Sequence, residues 1–314
     1  ADARPAYTML RNSNEVRLGG RARLALRRPD LIVPLLEPLA EAWYDFVQLE
    51  TYEARGPGLG LGLGRPFFDR ALQVGAGWKA RWVEFTEVHP GITAETAERI
   101  GLVEPYRVGY FDQVVAYDRR DQLLDPHRGF FAQARAEEAG RFSGSRFDYV
   151  KLTGEMRGYV SPASRWVLAA RVSLGSVLSG DLPITQRYFS GGASSHRGFG
   201  QRELAPSVVD PEAGEAPLGG AAQLESSFEV RVDIRQLWGS WLGIVTFLDG
   251  GDVTTSFGDL DPSNLHWAPG LGLRYDTIVG PIRFDVGYRV NRTGPGNPQQ
   301  GNHLAFHLSL GEAF

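Results

Sequence analysis

The chain has 314 residues, with 33 Lys and Arg, 37 Asp and Glu, 39 Gly and no Cys. This near balance of charge lacks the basic excess that is typical of nucleic-acid-binding proteins, so no nucleic acid is expected as a partner. Without cysteine, disulfides, zinc–thiolate sites and thiol nucleophiles are excluded. No run approaches the roughly 18 apolar residues of a membrane helix.

Apolar residues follow a period of two along most of the chain. In the stretch 224–235, Phe228 and Val230 alternate with Glu229 and Arg231. The same alternation recurs near 16–27, 72–82, 271–276 and 282–290. Since successive side chains of a strand point to opposite faces, the pattern predicts β-strands with one apolar and one polar face.

Turn-like segments divide the chain into about 13 predicted strands. They lie near residues 14–28, 41–53, 57–66, 71–86, 105–118, 129–139, 146–160, 165–178, 221–235, 239–252, 268–277, 281–290 and 302–314. The least strand-like segments are 29–38 and 89–104, and a short helix is predicted within 93–100. Since no linker or low-complexity segment stands out, we expect one domain over residues 1–314.

Three features favour a membrane barrel over a soluble sheet. The polar faces carry several charges and many glycines, which suits a water-filled lumen. The predicted strands, at about 10 to 15 residues, are long enough to cross a bilayer at a tilt. Aromatic residues such as Trp166, Trp238 and Trp241 gather near strand ends, as in interfacial girdles. On pattern alone, a large soluble β-sandwich or propeller remains the alternative.

Catalytic, metal and cofactor sites are not expected. His303 and His307 share a strand face but lie about 13 Å apart, too far to bind one ion together. Ser194, Ser195 and His196 are adjacent, so they cannot by themselves form a serine–base array, and the chain has no GxSxG elbow. An enzymatic function is therefore not predicted.

One pair of residues suggests a specific contact inside a barrel. Asp249 lies on the polar face of its predicted strand and needs a cationic partner. Arg197 lies in a loop of about 40 residues, 179–218, which is long enough to fold back inside. A guanidinium offers a planar fork to a carboxylate, and the flanking glycines allow the backbone to pass close to the wall. The alternative is that both side chains simply face water.

Several motifs in order resemble the BamA/TamA superfamily of outer-membrane protein assembly factors. RYFSGGASSHRGFG (187–200) is similar to the (V/I)RG(F/Y) loop of that superfamily, and FLDGG (247–251) to its FxDxG strand. YDRRDQLLDPHRGF (117–130) is similar to its Asp-Arg-Asp turn followed by Pro-x-x-Gly. The last strands, with GPIRFDVGYRV and LSLGEAF, look slightly more TamA-like than BamA-like. The resemblance covers residues 105–314 closely and 14–88 by pattern only.

The resemblance implies an all-β fold, a transmembrane antiparallel barrel of 16 strands in the bacterial outer membrane, with a long extracellular loop folded into the lumen. The implied loop motif is His196, Arg197, Gly198 and Phe199, and its implied wall partners are Phe247, Asp249 and Gly251. His196 stands where the family usually has an aliphatic residue. Only about 13 strands are visible, and POTRA domains are absent from this chain.

The function implied by the resemblance is the folding and insertion of other outer-membrane proteins at a seam, meaning a weakly paired contact between the first and last strands. The residues expected to form the seam and the terminal strand are Leu304, Phe306, Leu308, Leu310, Gly311 and Phe314, with Gly311 as a pliable point and the apolar residues facing lipid. The implied partners are nascent β-barrel proteins, the lipid bilayer and accessory proteins bound through POTRA domains. A two-partner-secretion export pore, a passive porin and a soluble binding protein are the alternatives.

Overall fold

The computed structural model describes residues 2–9, 16–28, 30, 34–102, 104–277, 280–291 and 303–314. Of residues 2–9 and 16–18 it describes the backbone alone. Within these ranges the regular secondary structure is β-strand apart from three short 3-10 turns and one short helix, α1 (Ala94–Ile100). Thr93 caps the start of α1 through its side chain, and Gly101 ends it in the left-handed region, so the helix predicted near 93–100 is confirmed.

Fourteen strands of the described residues form one antiparallel sheet in which each strand pairs with its neighbours in chain order. They are β1 (Asp2–Met9), β2 (Val16–Arg27), β3 (Glu37–Gln48), β4 (Tyr52–Phe67), β5 (Leu72–Val88), β6 (Tyr106–Asp118), β7 (Gly129–Ala139), β8 (Tyr149–Ala163), β9 (Trp166–Gly180), β12 (Ala222–Leu237), β13 (Ser240–Thr254), β14 (His266–Tyr275), β15 (Ile282–Tyr288) and β16 (Leu304–Leu310). A separate hairpin, β10 (Ser207–Asp210) and β11 (Gly214–Pro217), lies in the long loop between β9 and β12.

The sheet has one strand more than the 13 segments predicted from the sequence. The additional strand is β1, whose sequence DARPAYTM includes a proline and shows no clear apolar alternation. The predicted segment 41–53 is also misplaced, because β3 ends at Gln48 and β4 begins at Tyr52. Within the described residues, β1 and β16 are the two ends of the sheet and do not pair with each other.

The two faces of the sheet differ as the alternation predicts. On β12, Phe228 is exposed on the outer face while Glu225 and Glu229 are buried on the inner face. On β4, Leu59, Leu61 and Leu63 are exposed, and the alternate positions are glycines. Exposed apolar side chains outside and buried charges inside are the arrangement of a membrane barrel, because lipid takes the place of water around the outer face.

The long loop, residues 181–221, is enclosed by strands from distant parts of the sheet. Thr51, just before β4, donates to Pro217 O (2.5 Å), and Lys151 of β8 donates to Gln186 O (2.8 Å). At the far end of the sheet, the His307 ring of β16 lies 3.1 Å from Arg197 O. The sheet therefore curves around this loop.

An apolar cluster lies across the end of the sheet from which the loop departs, here called the loop end. It joins α1 to the strand ends and to the start of the loop through Ile100, Tyr106, Tyr149, Leu182 and Ile184, all of them buried. No helix in the described ranges has the length and apolar character that a membrane span requires.

Candidate functional site: the loop tip and its wall

The tip of the long loop, residues 190–203, is shaped by its own backbone before it meets the wall. Ser190 and Leu204 form an antiparallel bridge at the base of the tip, with N···O distances of 3.0 Å in both directions. Gly191 and Gly192 have φ angles of 103° and 109°, a region that residues with a Cβ rarely adopt. The glycines of this stretch therefore allow the turn that presents Arg197 to the strands.

Arg197 contacts Asp249 of β13 through three hydrogen bonds. Its backbone N and Nε donate to Asp249 Oδ2 at 2.9 Å and 2.8 Å, and its Nη2 donates to Oδ1 at 2.8 Å. Both side chains are almost completely buried, with 1% and 0% of their surface exposed. The pair is thus a bidentate, desolvated ion pair between the loop and the wall.

Two residues of β12 complete the pocket for the guanidinium. Glu229 accepts from Arg197 Nη1, and Ser227 accepts from Nη2 at 3.0 Å while donating to Asp249 Oδ1 at 2.6 Å. Burial disfavours the charge on Arg197, but the carboxylates of Glu229 and Asp249 outweigh it, so the pKa of Arg197 is raised. The arginine is therefore held as a cation between two buried acids.

The ring of Phe247, two residues before Asp249 on the same strand face, lies under the guanidinium of Arg197, with Cζ 3.5 Å from the ring centroid. A planar cation stacked on an aromatic face gains from the ring quadrupole. Phe247 and Asp249 therefore bind the arginine from two directions, and a lysine could not make both contacts.

The other motif residues bring the backbone close to the wall. A Cβ on Gly198 would lie 2.5 Å from the Ala268 Cβ, and one on Gly251 of the wall would lie 3.5 Å from His196 Cδ2 of the loop. Phe199 packs edge-on against both His196 and His266, with centroid distances of 4.9 Å and 5.6 Å. The structure thus brings together all seven residues proposed for the loop motif and its partner.

His196 is buried and its Nε2 lies 2.8 Å from His266 O. Burial lowers the pKa of His196, so the neutral ring is favoured and Nε2 can donate to that carbonyl. A histidine at this position therefore adds a hydrogen bond that an aliphatic residue could not make.

This burial predicts that docking of the loop tip depends on pH. A released His196 would titrate near 6.5, whereas the docked ring binds a proton less tightly, so docking should weaken as the pH falls below about 6.5. The measurement is hydrogen exchange of residues 190–203 between pH 5 and pH 8, corrected for the intrinsic rate. His196→Val should remove this response, and an equal response in both proteins would contradict the assignment to His196.

The terminal strand agrees with the sequence prediction in part. Leu304, Phe306, Leu308 and Leu310 lie on the exposed outer face of β16. Gly311 follows the last residue of β16 and has a φ of 89°, so the strand ends there.

The prediction that Phe314 faces lipid is wrong. The chain turns after Gly311, and Phe314 is buried against Tyr159 of β8, whose hydroxyl donates to Phe314 O at 2.8 Å. Glu312 lies beside Arg231 of β12, with 3.3 Å between Oε2 and Nη2. The last three residues therefore lie inside the sheet, because a residue with positive φ interrupts the alternation of the strand.

Other residues of the site were not singled out from the sequence. Ser227 and Glu229 occupied the predicted polar face of their strand, but nothing in the sequence showed that they meet Arg197. The register that places Ser227 opposite Asp249 brings all three side chains together. Polar residues at alternate positions of β12 were the only available signal.

The Omp85 superfamily domain matches residues 14–314 of this chain. The chain belongs to the Omp85 superfamily. The resemblance proposed from the motifs is thereby confirmed, and this Omp85 protein is an integral β-barrel of the bacterial outer membrane. The site formed by Arg197 and Asp249 lies within the matched residues.

Two BamA proteins and one CdiB protein are similar to this chain. The outer membrane protein assembly factor BamA of Nitratidesulfovibrio vulgaris (strain Hildenborough) is 28% identical over 205 residues, which cover 63% of this chain and 24% of the relative. The crystal structure of BamA from Haemophilus ducreyi lacking POTRA domains 1–3 matches with a TM-score of 0.75 and 17% identity, covering 93% of this chain and 62% of that one. CdiB from Escherichia coli matches with a TM-score of 0.57 and 13% identity, covering 92% and 52%.

These likenesses bear on the fold and on the extent of the chain. The Omp85 chain spans about a quarter of the length of the BamA relative from N. vulgaris. The BamA structure confirms the expected fold class, an antiparallel membrane barrel. The leaning toward TamA, drawn from the last strands, stays a prediction.

Proposed function

We propose that this Omp85 chain is the membrane part of an assembly factor that folds and inserts β-barrel proteins into the outer membrane. The proposal rests on the superfamily, on the BamA relative and on one structural observation, the short strand β16, which within the described residues pairs with β15 alone. Nascent outer-membrane proteins are the proposed substrates, and periplasmic or inner-membrane accessory proteins are further proposed partners.

Among the residues that the structure describes, the backbone of β16 has unpaired groups at regular positions. Gly311 N donates to Pro281 O (2.8 Å), and Arg289 N donates to His303 O (2.7 Å). Because backbone groups alternate in direction along an antiparallel strand, residues 305, 307 and 309 face β15. The N–H and C=O groups that point to the free edge, away from β15, belong to Leu304, Phe306, Leu308 and Leu310.

The strands next to this edge are short. β15 and β16 have seven residues each, whereas β4 has 16, β5 has 17 and β12 has 16. A shorter ladder has fewer backbone hydrogen bonds to break. The free edge therefore belongs to a strand that few backbone hydrogen bonds hold to the rest of the sheet.

The proposed mechanism is pairing and needs no covalent step. An incoming strand satisfies its own backbone groups and those of β16 at the same time, and this gain is large in lipid, where unpaired N–H and C=O groups cost several kcal/mol. The apolar side chains of Leu304, Phe306 and Leu308 point outward, so the edge is presented at the level of the hydrocarbon.

The direct test is assembly by the full-length protein in liposomes. An unfolded outer-membrane barrel protein, kept soluble by a chaperone, would be added, and its folded fraction followed by the change of gel mobility on heating. We expect faster folding than in empty liposomes or in liposomes with an unrelated porin of similar size. Equal folding rates in all three would contradict the proposed function.

A passive porin or an export pore would use the lumen instead of the edge. The loop tip lies against the inner face of β12 and β13, and the apolar cluster lies across the loop end, which disfavours a wide constitutive pore. Conductance measured in planar bilayers separates these functions. Large steady conductance would support the porin, and conductance that depends on a dedicated exported protein would support the export pore.

A further inference from the structure

The last two strands bind the loop tip through its backbone carbonyl groups. Three donors do so: Arg283 Nη2 to Ala193 O (3.0 Å), Arg289 Nε to Gly198 O (3.2 Å) and His307 Nε2 to Arg197 O (3.1 Å). Arg283 lies on β15, Arg289 directly follows it, and His307 lies on β16. These contacts are distinct from the side-chain contacts that Arg197 makes with β12 and β13.

The backbone of β15 also touches the tip directly. A Cβ on Gly287 would lie 2.3 Å from Arg197 O and 2.7 Å from its carbonyl carbon. Only a residue without a side chain allows this approach. The carbonyl of Arg197 is thus enclosed by Gly287 from one strand and His307 from the next.

Arg197 therefore connects two separate parts of the sheet. Its guanidinium is bound by Asp249 of β13 and Glu229 of β12, and its carbonyl is bound by His307 of β16. When the tip is docked, it adds a connection from β12 and β13 to β16 that bypasses β14 and β15. Release of the tip would break this connection.

Among the inward side chains of β16, His307 is the one that contacts the loop tip, so it can link docking of the tip to the position of this strand. The other inward positions of the strand are Ala305, which has no polar group, and Ser309, whose Oγ is buried and lacks a hydrogen-bond partner in the described structure. Within the described residues β16 has a neighbouring strand on one side only. A single bond from His307 therefore adds appreciably to the restraint on this strand.

We propose that His307 is a positioning residue that couples docking of the loop tip to the order of β16. Docking holds the short terminal strand in place, and release of the tip lets β16 move and pair with an incoming strand. The second half of this statement rests on the proposed assembly function. The coupling itself is a property of the chain and can be measured without a client.

The test is hydrogen exchange of residues 304–310 in the full-length protein in lipid nanodiscs. Asp249→Ala, which releases the tip from the opposite side, should accelerate exchange of these amides about five-fold or more. In His307→Leu the exchange should already be fast, and adding Asp249→Ala should change it little. In His307→Gln the amide can still donate to Arg197 O, so the response to Asp249→Ala should return.

His303, which directly precedes β16, provides a matched control. Its ring stacks on Tyr288 (5.2 Å between centroids), and Nδ1 lies 3.0 Å from Arg289 O. In His303→Leu, residues 304–310 should still respond to Asp249→Ala. If these amides do not respond to Asp249→Ala in the wild type, or respond equally in His307→Leu, the coupling is overturned. If the coupling is observed but the protein assembles no client, the coupling stands and the assembly function falls.

Discussion

Arg197→Ala is expected to release the loop tip while the barrel stays folded. The substitution leaves Asp249 buried without its cation, whereas Glu229 keeps its ion pair with Arg231 (2.8 Å), and breaking a buried ion pair in this way costs about 3–5 kcal/mol. Since about 1.4 kcal/mol is a factor of ten, the docked fraction should fall by about two to four orders of magnitude relative to the released one. Trypsin cleavage after Arg202, inside the tip, is the measurement, and the heat-dependent gel mobility of the barrel is the control.

The pair should behave as a unit in a double-mutant cycle. Asp249→Ala should expose the tip to a similar extent, and the double variant should be little worse than either single one. Arg197→Lys should fail to restore protection, because an ammonium cannot fork onto Asp249 and stack on Phe247 together. A tip that remains protected in Arg197→Ala, or single losses that simply add, would contradict the contact.

Much of the barrel could be predicted because alternation records which face of a strand meets lipid. The outward placement of Leu304, Phe306 and Leu308 followed from this pattern, and the structure shows it. The encounter of Arg197 with Asp249 could be proposed because both lie in motifs that resemble known ones. The alternation of apolar residues and the short motifs each involve residues that are close in the sequence, so a single sequence is enough to recognise them.

The remaining features depend on the path of the loop through the lumen. Glu229 could be placed on an inner face, but its contact with Arg197 needs the strand register as well as the loop fold. His307 binds a backbone carbonyl. Since every residue has such a group, the sequence does not show which carbonyl a side chain will meet. Phe314 was misplaced because the alternation was continued beyond Gly311, where a single positive φ ends the strand.

Leu308→Pro is expected to cause a large loss of assembly activity while β16 stays paired with β15. The N–H of residue 308 points to the free edge, so proline removes a donor offered to the client without removing a bond to β15. The carbonyl left unpaired on the client strand in lipid costs about 1–3 kcal/mol. At about 1.4 kcal/mol per factor of ten, client folding should slow by about five- to hundred-fold.

Two comparisons show whether the backbone is responsible. Leu308→Ala keeps the N–H and removes most of the side chain, so it should lose far less activity than Leu308→Pro. Ser309→Pro removes an N–H that faces β15, so it should disorder β16 itself, visible as fast hydrogen exchange of residues 304–310. If Leu308→Ala is as impaired as Leu308→Pro, the edge acts through its apolar side chains and not through backbone pairing. If both retain full activity, clients do not pair with this edge, and the mechanism proposed for the chain is wrong.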